Sequence, residues 1–133
     1  MKPQMNERQV RAISGRNDSS EKRNLHYFEG VSKSTAGSSK LAMQRLVIPA
    51  GAKATPHSHD GYETAIYILK GKVETRFGDQ LEHSIISEAG DYVFIPPYVP
   101  HQPINLSATE EAEAIIARSI ADEMEPTIPY LPG

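Results

Sequence analysis

The sequence predicts an all-β sandwich or barrel built as a single domain. Three observations point there. Short runs rich in Val, Ile, Tyr, Phe and Thr recur through the middle of the chain. Glycine, proline and aspartate punctuate them at short intervals. The length, 133 residues, suits one compact core.

The elements follow in order. Met1 to Arg23 is polar and aperiodic, and reads as a partly ordered arm. Lys2, Arg8, Arg11 and Arg16 make it mildly basic, but no aromatic platform for nucleic-acid bases accompanies the charge. Ser32 to Ser39 is a Ser/Gly-rich loop. Leu41 to Ile48 alternates loosely and ends at Pro49-Ala-Gly51, a strand and a turn. Thr64 to Leu69 is a strand bounded by Lys70-Gly71, and Lys72 to Phe77 alternates up to the hairpin signal Gly78-Asp79. Leu81 to Ser87 is a further candidate strand. Gly90-Asp91 turns into Tyr92 to Ile95, closed by Pro96-Pro97. Glu110 to Arg118 has helix propensity, and Ser107 with Glu110 resembles a capping box. In an all-β context Ala114 to Ser119 is expected to be the closing strand instead. The domain plan is therefore an arm with a leading strand over 1–40, a core over 41–119 and an extended tail over 120–133.

Composition narrows the chemistry. A net charge of −3 and a pI near 5.9 give no electrostatic footprint for nucleic acid or an anionic membrane. No run is long and apolar enough to span a membrane, and no signal-peptide pattern opens the chain, so a cytoplasmic location is the default expectation. There are no cysteines, which removes disulfides, thiolate nucleophiles and Cys-type metal sites together. Any metal here must be held by His, carboxylate or water.

His57 and His59 are the residues that point to chemistry. Side chains two apart on a strand share a face, so these imidazoles project into one space with Glu63 close behind. A third histidine, His101, follows a strand and a turn stiffened by Pro96, Pro97 and Pro100. If the hairpin carrying His101 packs against the strand of His57 and His59, three imidazoles and Glu63 converge. Neutral imidazole suits zinc, copper, iron and nickel, and an added carboxylate suits manganese as well. Such a set leaves a position open for water or substrate. His26 and His83 lie outside the pattern.

These residues resemble the two sequence motifs of the cupin superfamily. Gly51, His57, His59 and Glu63 fit the first, G-x5-H-x-H-x3/4-E-x6-G; Gly90, Pro96, His101 and Asn105 fit the second, G-x5-P-x-G-x2-H-x3-N. The resemblance covers roughly Leu41 to Ser119. It implies a double-stranded β-helix, or jelly-roll, barrel with a divalent metal inside (iron, manganese, nickel, zinc or cobalt). His57, His59, Glu63 and His101 would be its ligands. The sequence departs from the motifs twice. Tyr98 stands at the glycine of the second motif. Glu63 to Gly71 is one residue too long, so counting back from Gly71 puts the ligand position on Thr64. Either a bulge lets Glu63 bind, the favoured reading, or the site has three histidines only.

Tyr67, which shares parity with Glu63, and Tyr98 are the candidate proton-moving residues of the pocket. Only one of Gln44 and Arg45 can look inward. Arg118, in an apolar run, is either a surface charge or a buried clamp for a carboxylate. Ala65 and Leu69 on one face of their strand, with Ile66 and Ile68 on the other, suggest cover on both sides, the outer one by a second subunit in a homodimer. The resulting expectation is a metal-dependent enzyme of dioxygenase, isomerase or cyclase type on a small oxygenated organic substrate. A non-catalytic small-molecule or metal-binding module is the alternative, and a structural metal the third possibility.

Overall fold

Alternating burial along the chain resolves into strands in the computed structural model, which describes residues 9–15, 20–122 and 125–131. Lys2, Arg8 and Arg16 of the N-terminal arm lie outside the described residues. β1 (Ser20–Lys22) and β2 (Leu25–Val31) lead into one helical turn, α1 (Lys33–Ala36), in the segment read as a loop. Ser32 caps that turn, accepting from the Thr35 amide, and Gly37 ends it in the left-handed conformation. Then come β3 (Ala42–Ile48), β4 (His57–His59), β5 (Thr64–Lys70), β6 (Lys72–Phe77), β7 (His83–Glu88), β8 (Tyr92–Ile95), β9 (His101–Asn105), β10 (Ala112–Arg118) and β11 (Thr127–Pro129).

Two antiparallel sheets result. One has the order β1-β2-β3-β10-β5-β8 and the other β11-β4-β9-β6-β7. They face each other as a jelly roll that is not closed into a continuous barrel, and Leu25, Leu46, Ile48, Ile68, Val73 and Ile116 fill the space between. β10 settles the contest between helix propensity and context. It pairs with β3 on one side and β5 on the other. Its Ala112, Ala114, Ile116 and Arg118 all face inward at strand parity, so tertiary pairing overrides local preference. Ser107 does cap, but it caps a turn: its Oγ accepts from the amides of Thr109 and Glu110.

Several motif residues prove architectural. Gly51 adopts φ +68° and its amide donates to Ser107 O at 2.7 Å. Asn105 is buried, and its Nδ2 donates toward the carbonyls of Ile48, Pro49 and Glu110 at 2.9–3.2 Å. Its Oδ1 accepts from the Ser107 amide. One side chain thereby ties the end of β9 to the loops after β3 and before β10. At Gly71, which has φ +91°, a Cβ would lie 2.9 Å from Ala112 Cβ, so only glycine fits between β5 and β6. On the outer face, Ala65, Leu69, Tyr92 and Phe94 remain exposed in the single chain. No helix among the described residues is long and apolar enough to cross a membrane.

Candidate metal centre

β4 is only three residues long, yet all three are buried. His57 and His59 point to the same side, and His57 lies directly across from His101 on β9. The ring centroids of His101 are 4.6 Å from His57 and 4.5 Å from His59. One nitrogen from each of the three rings lies within 4.8 Å of the others. Hydrogen bonding sets which nitrogen that is. His57 Nδ1 lies 2.9 Å from Thr55 O, and His101 Nδ1 lies 2.9 Å from Val99 O. A carbonyl only accepts, so both Nδ1 atoms carry the proton and both Nε2 atoms keep a lone pair. His59 Nδ1 is 3.0 Å from Thr64 Oγ1, a hydroxyl able to donate or accept, which holds the third ring in place. Fixing one nitrogen to free the other is how proteins prepare imidazole for a metal.

Electrostatics agree with that preparation. Burial, followed by the neighbouring His101, lowers His57 from 6.5 to about 3. Burial, followed by His101 and His57, lowers His59 to about 2. Burial also lowers His101. All three rings are neutral donors near neutrality, as a divalent ion requires. A stability prediction follows. Below the unfolded value of 6.5 the unfolded chain takes up protons that the folded chain refuses. Stability is therefore full above that pH and is lost on acidification, by up to about 1.4 kcal/mol per unit for each histidine. The urea midpoint of metal-free protein is expected to fall continuously from pH 6 toward pH 4, and less steeply in a His57→Ala/His59→Ala variant. Equal slopes would contradict the assignment.

Glu63 is not among the clustered residues. Its side chain is exposed, while its backbone pairs with Ser119 at 2.9 and 3.1 Å. The extra residue of the motif is absorbed in the loop before β5. Alternation along β5 therefore runs in register with Gly71, and Thr64, buried beside His59, takes the inward position. Tyr67 shares the parity of Glu63 and so points outward, where its ring meets Tyr92 at 4.8 Å. Tyr98 is also outside the cavity and mostly exposed. It nevertheless keeps the left-handed conformation of the glycine it replaces, with φ +66°, and its amide donates to His59 O at 2.9 Å. Its contribution is thus to hold the Pro-rich turn against β4.

The cavity beside the histidines is lined by apolar Leu25, Ile66, Ile95 and Ile116 and by four polar groups, Tyr27, Thr64, Arg118 and Glu125. Gln44, not Arg45, looks inward, and its Oε1 accepts from Arg118 Nη1 at 2.5 Å. Arg118 is buried and pairs with Glu125 at 2.7 Å. Arg23 forms a second ion pair with Glu125 and donates to Tyr27 Oη at 3.1 Å. Sequence reasoning missed Glu125, Arg23, Tyr27 and Tyr62, whose ring stacks on His59 at 4.9 Å. Tyr27 carried a detectable signal, the alternation of Leu25 and Tyr27; Glu125 carried none. Three neutral imidazoles with converging lone pairs, in a mostly apolar cavity, could hold a divalent ion.

Comparison with known proteins agrees with this architecture. The family model described as "Cupin domain" matches residues 44–117, more than half of the chain. No curated protein matches the sequence significantly. Among solved structures, KdgF from Halomonas sp. superposes with a TM-score of 0.68 at 17% identity, over 85% of this chain and 96% of that one. The polyketide cyclase RemF from Streptomyces resistomycificus gives 0.68 at 15% identity, over 98% and 87%. A predicted oxalate decarboxylase from Thermotoga maritima gives 0.69 at 18% identity, over 84% and 99%. At such identities the likeness concerns the fold. The family match, the two-sheet jelly roll and the buried three-histidine group together place this chain in the cupin-domain family.

Proposed function

We propose that the chain is a metal-dependent enzyme acting on a small oxygenated organic molecule. The observation that carries this reading is the set of three buried imidazoles, each held through Nδ1, with one ligand nitrogen from each ring within 4.8 Å of the others. Three protein ligands leave positions open on a four- to six-coordinate ion, which distinguishes a reactive site from a closed structural one. A divalent ion held there supplies a Lewis acid, or redox chemistry if it is iron or manganese. His57, His59 and His101 would hold it, and the wall of Leu25, Ile66, Ile95 and Ile116 excludes water. Tyr27 is the group at the cavity, apart from the histidines, able to hold or move a proton. The polyketide cyclase and the predicted oxalate decarboxylase among the structural neighbours support an enzyme of this broad kind.

One observation favours a binding module instead: the space between the three histidines and Glu125 is only about 40 Å³, room for water-sized groups, while the larger space on the other side of His101, about 300 Å³, is lined mostly by apolar side chains such as Phe77, Ile85 and Val93. Elemental mass spectrometry on freshly purified protein distinguishes the outcomes. The expected result is about one divalent ion per chain, as one three-histidine site implies. Redox-active iron or manganese would favour oxygen chemistry, and zinc or nickel cyclisation, isomerisation or binding. No metal as purified and none after reconstitution would overturn the proposal.

A further inference from the structure

The buried acid–base group beside the histidines does more than fasten the chain. Glu125 is 4% exposed and Arg118 is 4% exposed. Glu125 Oε1 lies 2.7 Å from Arg118 Nη1, and Oε2 meets Arg23 Nη2. Although fully enclosed, Arg118 has Nε and Nη2 without hydrogen-bond partners among the described residues. A buried guanidinium with unused donors is built to receive a carboxylate through two parallel bonds. Arg118 lies across from Thr64 in the β10–β5 pairing, so it occupies the same wall as the Thr64–His59 contact.

The group now filling this position is delivered by a short segment at the edge of its sheet. Glu125 stands in the left-handed conformation, with φ +51°. It is followed by β11, a three-residue edge strand laid on β4 with Thr127 opposite His59 and Pro129 opposite His57. A short edge strand ending in a proline, which lacks an amide hydrogen, opens at low cost. With Glu125 in place, the space shared by the three histidines, Arg118 and Glu125 is about 40 Å³, room for water-sized groups.

We propose that Arg118 and Arg23 form a carboxylate subsite of the histidine cavity, that Glu125 is its internal occupant, and that a small carboxylic acid enters by displacing Glu125 and β11. The inference deepens the catalytic reading above by assigning its substrate a carboxylate, and it rests on that reading for the chemistry that follows binding. On this proposal the pocket has two forms, one plugged by its own side chain, as in the structure, and one occupied by the incoming acid.

Chemical rescue tests it. In full-length Glu125→Ala, acetate is expected to bind at least ten-fold more tightly than to the unaltered protein and to raise the melting temperature, while neutral acetamide does neither. Arg118→Lys in the Glu125→Ala background should abolish the acetate effect. Equal acetate affinity with and without Glu125, or an equal response to acetamide, would overturn the proposal. Should Glu125→Ala not fold, the unaltered protein decides. Saturating malonate must then accelerate amide exchange at Thr127 and Ile128 at least ten-fold, and unchanged exchange overturns the proposal. The measurements are repeated with metal stripped and with zinc added. Acetate rescue in a protein that never binds metal would retain this subsite and sink the catalytic reading; metal binding without rescue would sink the subsite alone.

Discussion

Replacing Arg118 with methionine is expected to lower folding stability by about 3 kcal/mol, at the low end for a broken buried pair. The loss has a specific cause. Arg118 and Glu125 have side chains only 2% and 3% exposed, so removing the guanidinium strands a carboxylate where water cannot solvate it. Arg23 still faces Glu125, which holds the cost to that end. Gln44 Oε1 loses its donor as well. The double variant Arg118→Met/Glu125→Leu removes both of these charges and is expected to recover part of the loss, since apolar replacement of a buried pair is often neutral but Arg23 then loses its partner. Urea denaturation of the two single variants and the double closes the cycle. A single-variant cost within experimental error, or a double variant worse than the sum, would contradict the burial of this pair.

The second large effect concerns metal. His57→Ala combined with His59→Ala removes two of three donors and is expected to reduce divalent-ion affinity by well over about 100-fold, the upper end seen for outer-shell changes. Thr64→Val removes only the hydroxyl that orients His59, so its expected cost is about 10-fold, as for an outer-shell partner. Glu63→Gln should change nothing, because that side chain is exposed and belongs to the outer face. Competition against a chromogenic chelator ranks the variants. A Glu63→Gln loss as large as that of Thr64→Val would restore Glu63 to the site.

What was legible in the sequence was whatever depends on neighbours in the chain. The strands from Ala42 to Ile95 follow from apolar alternation and Gly/Pro punctuation, and they lie where those signals put them. His57 and His59 share a face because they are two apart. Strand parity was equally available for Glu63 and Tyr67, but it had two possible origins, His59 or Gly71. Only the folded chain shows that the extra residue sits in the loop and not in β5. Glu125 was beyond reach for a different reason. Its place in the cavity depends on β11 adding to the edge of β4, a contact without any local periodicity. Arg118 was ambiguous from sequence, because one charge in an apolar run is equally compatible with either face until its partner is known.

The cavity's polar groups also bear on how fast the chain can fold. Arg23 and Glu125 are 102 positions apart and Gln44 and Arg118 are 74 apart; outside the cavity, Arg45 and Glu113 are 68 apart. Each contact requires a long loop to be closed before it returns any free energy. Chains dominated by such distant pairings reach the native state in milliseconds to seconds. The β6–β7 hairpin can form early, since Phe77 and His83 are close in sequence and paired. The ion pair of Arg23 with Glu125 has the longest separation of these and belongs at the end of that order. Until that pair closes, the histidine cavity lacks the wall that Glu125 supplies.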